Sequence, residues 1–242
     1  MSDFFEIFNP GQRFTRQQLD AEKMLIVESD QGGTGPPPLD LDSGSIVLRM
    51  PAHAYPEQME TPPVPEPDDK DWTFVLCERC PECGYRADDV DAHDLPGLVR
   101  QAAAPWADVL ARPDVRTRPQ PHVWSALEYG CHVRDVLTVF TGRVELVRSQ
   151  DDPTFANWDQ DETALTQRYW EQDPATVAAE LASAAERNAA VWAEVTEPEW
   201  SRPATRSNGS RFTLDTLGRY MLHDLRHHLH DVGAGGGFRN EP

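Results

Sequence analysis

Apolar positions recur at helical spacing through the carboxyl-terminal two thirds of the chain and predict four helices. The stretches are residues 98–110, 125–147, 174–195 and 213–232, where apolar side chains return every three to four positions. Pro105 should kink the first of them, because proline cannot donate the backbone hydrogen bond of a helix interior. The stretches predicted as long connections are residues 151–161 and 198–210. With no convincing paired strands, this pattern predicts an all-α four-helix bundle with at least one crossover connection.

Local signals indicate where the helices begin and end. Ser125 with Glu128 three positions later forms the pattern of a capping box. Asp173 followed by Pro174 is typical of a helix cap and first position. Gly233 should stop the last helix, since glycine accepts the left-handed conformation that often follows a helix.

The amino-terminal third of the chain has a different character. Residues 1–70 are acidic and rich in proline and glycine, a composition that disfavours a packed core. Within them we expect a helix over residues 14–29 and a short strand over residues 45–50. The predicted organisation is an irregular amino-terminal extension and linker (1–70), a cysteine-containing segment (71–93), the bundle (94–232) and a glycine-rich tail (233–242).

Charge restricts the classes of partner. The chain has 22 Lys and Arg residues against 41 Asp and Glu residues, a formal net charge of −19, which disfavours nucleic acid and anionic membranes. No apolar run reaches the roughly 20 residues of a membrane helix, and the acidic residues 1–9 lack the layout of a signal peptide. We therefore expect a cytoplasmic protein whose partner is a small-molecule substrate; a homodimer is an open alternative.

Half of the eight histidines fall within residues 223–230. At about 100° per residue, His223 and His227 lie within about 40° of each other on a helix, a spacing that lets two imidazoles reach one metal ion. A third ligand must come from another element, and His132 is the candidate. The alternative is that these histidines only pack or favour the helix dipole.

Three cysteines crowd into one short segment. Cys77, Cys80 and Cys83 resemble one half of a zinc ribbon, although no second Cys-x-x-Cys pair is present. His93 could complete a Cys₃His set, but the two-residue spacers make three simultaneous cysteine ligands awkward. A redox-active Cys80/Cys83 pair and plain turn-forming cysteines remain the alternatives.

Two motifs together resemble the DinB-like superfamily. Residues 124–136 carry an aromatic-x-x-x-Glu pattern followed by His132 and Asp135, and residues 223–228 read His-Asp-Leu-Arg-His-His. The resemblance covers about residues 72–232. That superfamily includes bacterial thiol S-transferases and mycothiol-dependent maleylpyruvate isomerases. Residues 1–60 resemble small proteins of high-GC bacteria, a resemblance that carries no function.

The resemblance implies a four-helix bundle that holds a divalent metal on three side chains, with a fourth position open to water or a thiolate. Carried over by position, the ligands are His132, His223 and His227. Zinc suits such nitrogen ligands best, and Ni, Fe and Mn are alternatives. Asp135, His228 and His230 are candidates to orient the ligands. Mycothiol or another low-molecular-weight thiol is the implied cofactor, but many relatives continue with Arg-Gly-Gln where this chain does not, so the thiol is not simply inherited.

The expected function is metal-dependent chemistry on a small electrophilic molecule, either S-transfer or isomerisation with a thiol or hydrolysis with water. The alternative is a non-catalytic protein that binds a metal or ligand for regulation or interaction. The aromatic loop around Trp158 is a candidate lid over the metal. No residue beyond the ligands is assigned a catalytic role.

Overall fold

The computed structural model describes residues 61–65 and 70–235. The helix predicted over residues 14–29, the strand predicted over residues 45–50 and residues 236–242 of the glycine-rich tail lie outside this part of the chain. No helix of the described part is both long enough and apolar enough to cross a membrane.

The described chain is mostly helical, which confirms the predicted fold class. Its α-helices are α1 (Leu95–Ala103), α2 (Trp106–Leu110), α3 (Ala126–Ser149), α4 (Gln160–Thr166), α5 (Pro174–Ala193) and α6 (Leu214–Asp231). Helix α5 packs against both α3 and α1, and α6 also packs against α1 and α3. Helices α1, α3, α5 and α6 thus form a four-helix bundle. Trp106, Trp192 and Leu222 are fully buried in its core.

Helix starts follow the signals in the sequence. Ser125 and Glu128 make the reciprocal hydrogen bonds of a capping box at the start of α3. Asp173 accepts from the backbone of Thr176 at the start of α5, so that its carboxylate satisfies an amide that has no partner inside the helix. Pro105 divides the predicted first helix into α1 and α2, because its ring interrupts the helical hydrogen bonds.

A small sheet corrects the expectation that the chain has no paired strands. Strand β1 (Thr154–Phe155) runs parallel to β2 (Pro203–Arg206), and β2 pairs antiparallel with β3 (Arg211–Thr213). Strands of two to four residues are too short to show an alternating pattern. The sheet joins the two stretches predicted as plain connections, and it fixes the loop that follows β1.

The cysteine-containing segment lies against α6 through a series of short 3-10 turns at Trp72–Leu76, Ala87–Asp89 and Ala92–Asp94. The hydroxyl of Tyr85 donates to the carbonyl of Arg219 at 2.7 Å, and the guanidinium of Arg219 donates to the carbonyl of Ala87 at 2.8 Å. These bonds place the cysteines next to the last turns of α6.

Close packing around Gly218 brings α6 against α1 and α5. A Cβ atom at Gly218 would lie 2.3 Å from Cδ1 of Leu95 and 3.1 Å from Cη2 of Trp192, and both side chains are buried. We expect Gly218→Ala to lower the free energy of unfolding by about 1–3 kcal/mol through overpacking, as measured by urea denaturation. Gly142→Ala is the control: a Cβ atom at this exposed position of α3 would meet no neighbouring side chain or backbone of the described residues within 4 Å, so the free energy of unfolding should rise by up to about 1 kcal/mol.

Candidate metal centres

Helix α6 carries two pairs of potential ligands at the same i, i+4 spacing. His223 is followed four residues later by His227, and Asp224 by His228. Because successive residues turn by about 100°, the second pair is rotated by that angle from the first. One pair meets the cysteine-containing segment and the other meets α3.

The first pair belongs to what we call the cysteine–histidine group, formed by Cys80, Cys83, His223 and His227. One ligand atom from each of the four residues lies within 4.8 Å of the others. Sγ of Cys80 is 3.7 Å from Nδ1 of His227. Cys80 and both histidines are buried, and Cys83 is half-buried.

Burial controls the protonation of this group. It raises the pKa of the Cys83 thiol to about 12 and lowers the pKa of His223 to about 4, because a charged form loses its hydration there. Burial likewise lowers the pKa of His227. Both imidazoles are therefore neutral at pH 7, the form that binds a metal.

The second pair belongs to the histidine–aspartate group, formed by His132, Asp224 and His228. Nε2 of His132 and Nε2 of His228 each lie 3.4 Å from Oδ1 of Asp224. The other ring nitrogen of His228 lies 2.9 Å from Oδ2 of Asp231, so this carboxylate orients the imidazole with Nε2 directed to the group.

Electrostatics in this group favour a neutral imidazole beside a carboxylate. Burial lowers the pKa of His132. Burial alone would raise the pKa of Asp224, but the neighbouring imidazoles of His132 and His228 outweigh it and hold that pKa well below its usual range. The group can thus present a neutral nitrogen of His132 and an anionic oxygen of Asp224 at neutral pH.

Several polar atoms of the histidine–aspartate group have no hydrogen-bond partner among the described residues. They are both ring nitrogens of His132, which is fully buried, and Oδ1 of Asp224. Buried polar atoms are nearly always satisfied in folded proteins. A cation bonded to Nε2 of His132 and to Oδ1 of Asp224 would satisfy two of these three atoms.

Aromatic rings enclose His132. The indole of Trp158 stacks on its imidazole at 5.4 Å between ring centres, with an angle of 8° between the planes, and Trp124 lies 5.3 Å away. Trp158 is held by a 2.8 Å hydrogen bond from Nε1 to Oγ1 of Thr163. The loop after β1 therefore places Trp158 directly over His132; its role as a lid stays a prediction.

A surface cleft of about 420 Å³ lies on the other side of this loop. It is lined by Val139, Gly142, Arg143, Leu146, Thr154, Phe155, Ala156, Asn157 and Trp158. Arg143 is the one charged side chain among these lining residues. Burial lowers the pKa of Arg143 to about 10, so it remains a cation at neutral pH. Trp158 thus separates the cleft from His132.

The three histidines predicted to share one ion fall into two groups. His223 and His227 join Cys80 and Cys83, whereas His132 joins Asp224 and His228. Their assignment to a single ion stays a prediction. It can be tested against the alternative that each group binds an ion of its own.

The remaining candidates lie as follows. Cys77 is exposed and outside the cysteine–histidine group. His93, considered as a fourth ligand for the cysteines, instead lies 2.7 Å from Asp91 and 2.9 Å from Glu197. Asp135 pairs with Arg134 and accepts from Tyr169. His230 is half exposed and lies 3.7 Å from Asp231.

Asp224 was not among the predicted ligands. The signal that could have found it is the i, i+4 spacing from Asp224 to His228, which is the same spacing that singles out His223 and His227. From the sequence alone, a carboxylate inside a run of histidines is indistinguishable from an ordinary solvated charge. Its proximity to His132 depends on how α3 packs against α6.

The sequence pattern of the DinB superfamily matches residues 97–232. This chain belongs to the DinB superfamily. The matched residues comprise α3 and α6, the two helices that build the histidine–aspartate group.

Comparison with solved structures finds YfiT from Bacillus subtilis, described as a probable metal-dependent hydrolase with an unusual four-helix bundle topology. The two chains are 18% identical, with a TM-score of 0.48, over 72% of this chain and 94% of the YfiT chain. No curated protein sequence matches this DinB-superfamily chain.

The histidine–aspartate group fits a divalent metal on its own geometry. Two ligand atoms bound to one ion at about 2.1 Å in a tetrahedral arrangement lie about 3.4 Å apart. Nε2 of His132 and Nε2 of His228 are each 3.4 Å from Oδ1 of Asp224. The donor set of two imidazoles and a carboxylate is used by catalytic zinc sites and by non-haem iron sites.

Proposed function

We propose that this DinB-superfamily protein is a metal-dependent enzyme that holds its ion on His132, Asp224 and His228 and acts on a small electrophilic molecule. The observation that carries the proposal is that buried ligand atoms of His132 and Asp224 have no hydrogen-bond partner within the part of the chain that the structure describes. Nε2 of His132 and Oδ1 of Asp224 lie 3.4 Å apart but form no hydrogen bond, whereas a purely structural polar cluster would hydrogen-bond such buried atoms to one another or to backbone groups.

The ligand set itself favours chemistry over structure. Three protein ligands leave a coordination position open, as in catalytic zinc sites, whereas structural sites are closed by four. When bound here, a divalent ion would supply Lewis-acid chemistry, which polarises a carbonyl group and makes water or a thiol more acidic. Asp224 would offset part of the charge of the ion.

The chain's own residues support binding of a small substrate with an anionic group. Arg143 offers a guanidinium next to the aromatic rings of Phe140 and Phe155, each 4.7 Å away. Asn157 adds an amide to the cleft. Trp158 lies between this cleft and His132, so rotation of its indole would connect the two and its return would exclude water.

Two reactions share these requirements. In thiol transfer or isomerisation, a low-molecular-weight thiol attacks the electrophile, and in hydrolysis water attacks it. The superfamily resemblance supports the thiol reaction, while the imidazole–carboxylate ligand set is equally suited to hydrolysis. A thiol-dependent product formed from the electrophile would select the first reaction, and product formation without any thiol would select the second.

Metal content tests the site. In untagged full-length protein, we expect His132→Ala and Asp224→Ala each to lose one equivalent of divalent metal relative to wild type by elemental analysis. His230→Ala is the control, because this imidazole is half exposed and outside both groups; it should keep the full content.

Two results would contradict the proposed ligand set. In the first, Asp224→Ala keeps the full metal content of wild type, while His132→Ala and His223→Ala each lose one equivalent of metal and the double variant loses no more. The ion would then be shared by His132, His223 and His227, as the superfamily resemblance implies. If wild type takes up no ion that depends on His132, the enzymatic proposal fails and a non-catalytic binding protein remains.

A further inference from the structure

We propose that Cys80, Cys83, His223 and His227 form a second, closed zinc site that fastens the cysteine-containing segment to helix α6. This site is separate from the one formed by His132, Asp224 and His228 and does not rest on the proposed enzymatic function. Its ligands come from segments 140 residues apart in the chain, between Cys83 and His223.

The cysteine pair has the backbone of a zinc-binding turn. Cys80 and Cys83 are separated by two residues and followed by Gly84, whose φ of +77° is a conformation that glycine adopts without strain. The amide of Gly84 donates to the carbonyl of Cys80 at 3.0 Å, and the amide of Cys80 donates to the carbonyl of Tyr85 at 2.9 Å. These bonds close the turn with the two cysteines on it.

The histidine pair supplies the other half of the set. Cys-x₂-Cys followed by His-x₃-His is the ligand spacing of a Cys₂His₂ zinc site. With ordinary zinc–sulfur and zinc–nitrogen bonds in a tetrahedron, sulfur and nitrogen lie about 3.6 Å apart. The observed distance from Sγ of Cys80 to Nδ1 of His227 is 3.7 Å.

The imidazoles are oriented for coordination. Nε2 of His227 lies 3.3 Å from a carboxylate oxygen of Glu82, which favours a proton on Nε2 and leaves Nδ1 free for zinc. Nε2 of His223 is buried and has no hydrogen-bond partner among the described residues. A zinc ion is the partner that these two nitrogens and two thiolates share.

The surroundings indicate a structural ion. Four protein ligands leave no position for substrate. The indole of Trp72 covers the histidines, with its ring centre 5.4 Å from that of His223 and 4.9 Å from that of His227. Between Trp72 and Cys80 the described chain has a single short 3-10 helix, Trp72–Leu76, so an ion that bridges this segment to α6 would hold it in place.

A redox role for the cysteines explains less of the site. All four cysteines of the chain are free thiols, and a Cys80–Cys83 disulfide would leave the buried nitrogen of His223 without a partner. Zinc coordination uses the sulfurs of Cys80 and Cys83 together with both imidazoles. Cys77 is exposed and lies outside this group, so it is not needed for the site.

X-ray absorption at the zinc edge of untagged full-length protein tests the site directly. To isolate it, the spectrum is recorded on Asp224→Ala protein as well as on wild type. We expect two sulfur ligands at about 2.3 Å and two nitrogen ligands at about 2.0–2.1 Å in the variant. Cobalt substitution should add the thiolate charge-transfer absorption and the intense visible bands of a tetrahedral ion.

Matched variants assign the ligands. Cys83→Ser and His227→Ala should each lose one equivalent of zinc, whereas Cys77→Ser should keep it. These ligand variants need not be stable, because the spectrum of Asp224→Ala protein, in which Cys80, Cys83, His223 and His227 are all intact, already decides the ligand types. Zinc with no sulfur ligand, a full zinc content in Cys83→Ser, or a Cys80–Cys83 disulfide in freshly purified metal-free protein would each overturn the proposal.

Discussion

Glu128→Ala should lower the free energy of unfolding by about 3–5 kcal/mol, which is the usual cost of breaking a buried ion pair by removing one partner. The carboxylate of Glu128 is 2% exposed, and its partner, the guanidinium of Arg118, is 12% exposed. The substitution would leave this cation almost buried without its anion.

Glu128 also supports the start of α3. Its Oε2 accepts from the amide and the hydroxyl of Ser125, both at 2.8 Å, and from Nε of Arg118 at 2.9 Å. Alanine removes these acceptors, which adds the roughly 1 kcal/mol of a lost helix cap. The total approaches the 5–15 kcal/mol that stabilises a typical domain.

Urea denaturation of full-length protein measures the change. Glu145→Ala removes an exposed carboxylate from the same helix and should alter the unfolding free energy by no more than about 0.5 kcal/mol. Should Glu128→Ala fail to fold, Glu128→Gln keeps the capping geometry and should still cost more than the control. A loss below about 1 kcal/mol in both variants would show that the pair contributes little.

The same residues explain why the helices could be predicted. Helix caps and breakers act within one helical turn, so neighbouring residues of the sequence are enough to identify them. This applies to Ser125, Glu128, Asp173 and Pro105. The core stripe of α3 also repeats at the helical period. Nothing local, in contrast, pairs β1 with β2, which are brought together from distant parts of the chain.

The candidate sites were predicted less completely than the helices. The i, i+4 spacing identifies His223 and His227 as a pair, but it does not say which element faces them. The structure places Cys80 and Cys83 there, a contact that depends on how the cysteine-containing segment packs on α6. His132 meets Asp224 and His228 for the same reason, since the crossing of α3 and α6 decides which turn it faces.

Helix α6 therefore connects two kinds of site. The neighbouring residues His223 and Asp224 point about 100° apart, one in the cysteine–histidine group, the proposed closed site, and the other in the histidine–aspartate group, the proposed open site. An ion at the closed set would fix α6 against the cysteine-containing segment, and so hold Asp224 and His228 in register with His132. We thus expect loss of the closed site to disturb the open one.

Removal of zinc from the closed site should destabilise the whole described domain. An ion present at 1,000 times its dissociation constant stabilises the native state by about 4 kcal/mol. For a chain of this size, such a loss lowers the melting temperature by about 8–16 °C. The measurement is thermal unfolding, monitored by circular dichroism with and without a zinc chelator, in Asp224→Ala protein, from which the proposed second ion is expected to be absent.

The control separates this effect from general damage by the chelator. In the Asp224→Ala background, Cys77→Ser should lose as much stability on chelation as its parent. Cys83→Ser should already have a lower melting temperature without chelator, and the chelator should change that temperature little. Hydrogen exchange should show loss of protection in the cysteine-containing segment before the bundle, since α3 and α5 keep a core that includes Leu137 and Leu181. An equal chelator response in Cys83→Ser would place the stabilising ion elsewhere, because that variant has lost one of the two thiolates proposed to bind the zinc, and thiolate ligands favour zinc over harder cations.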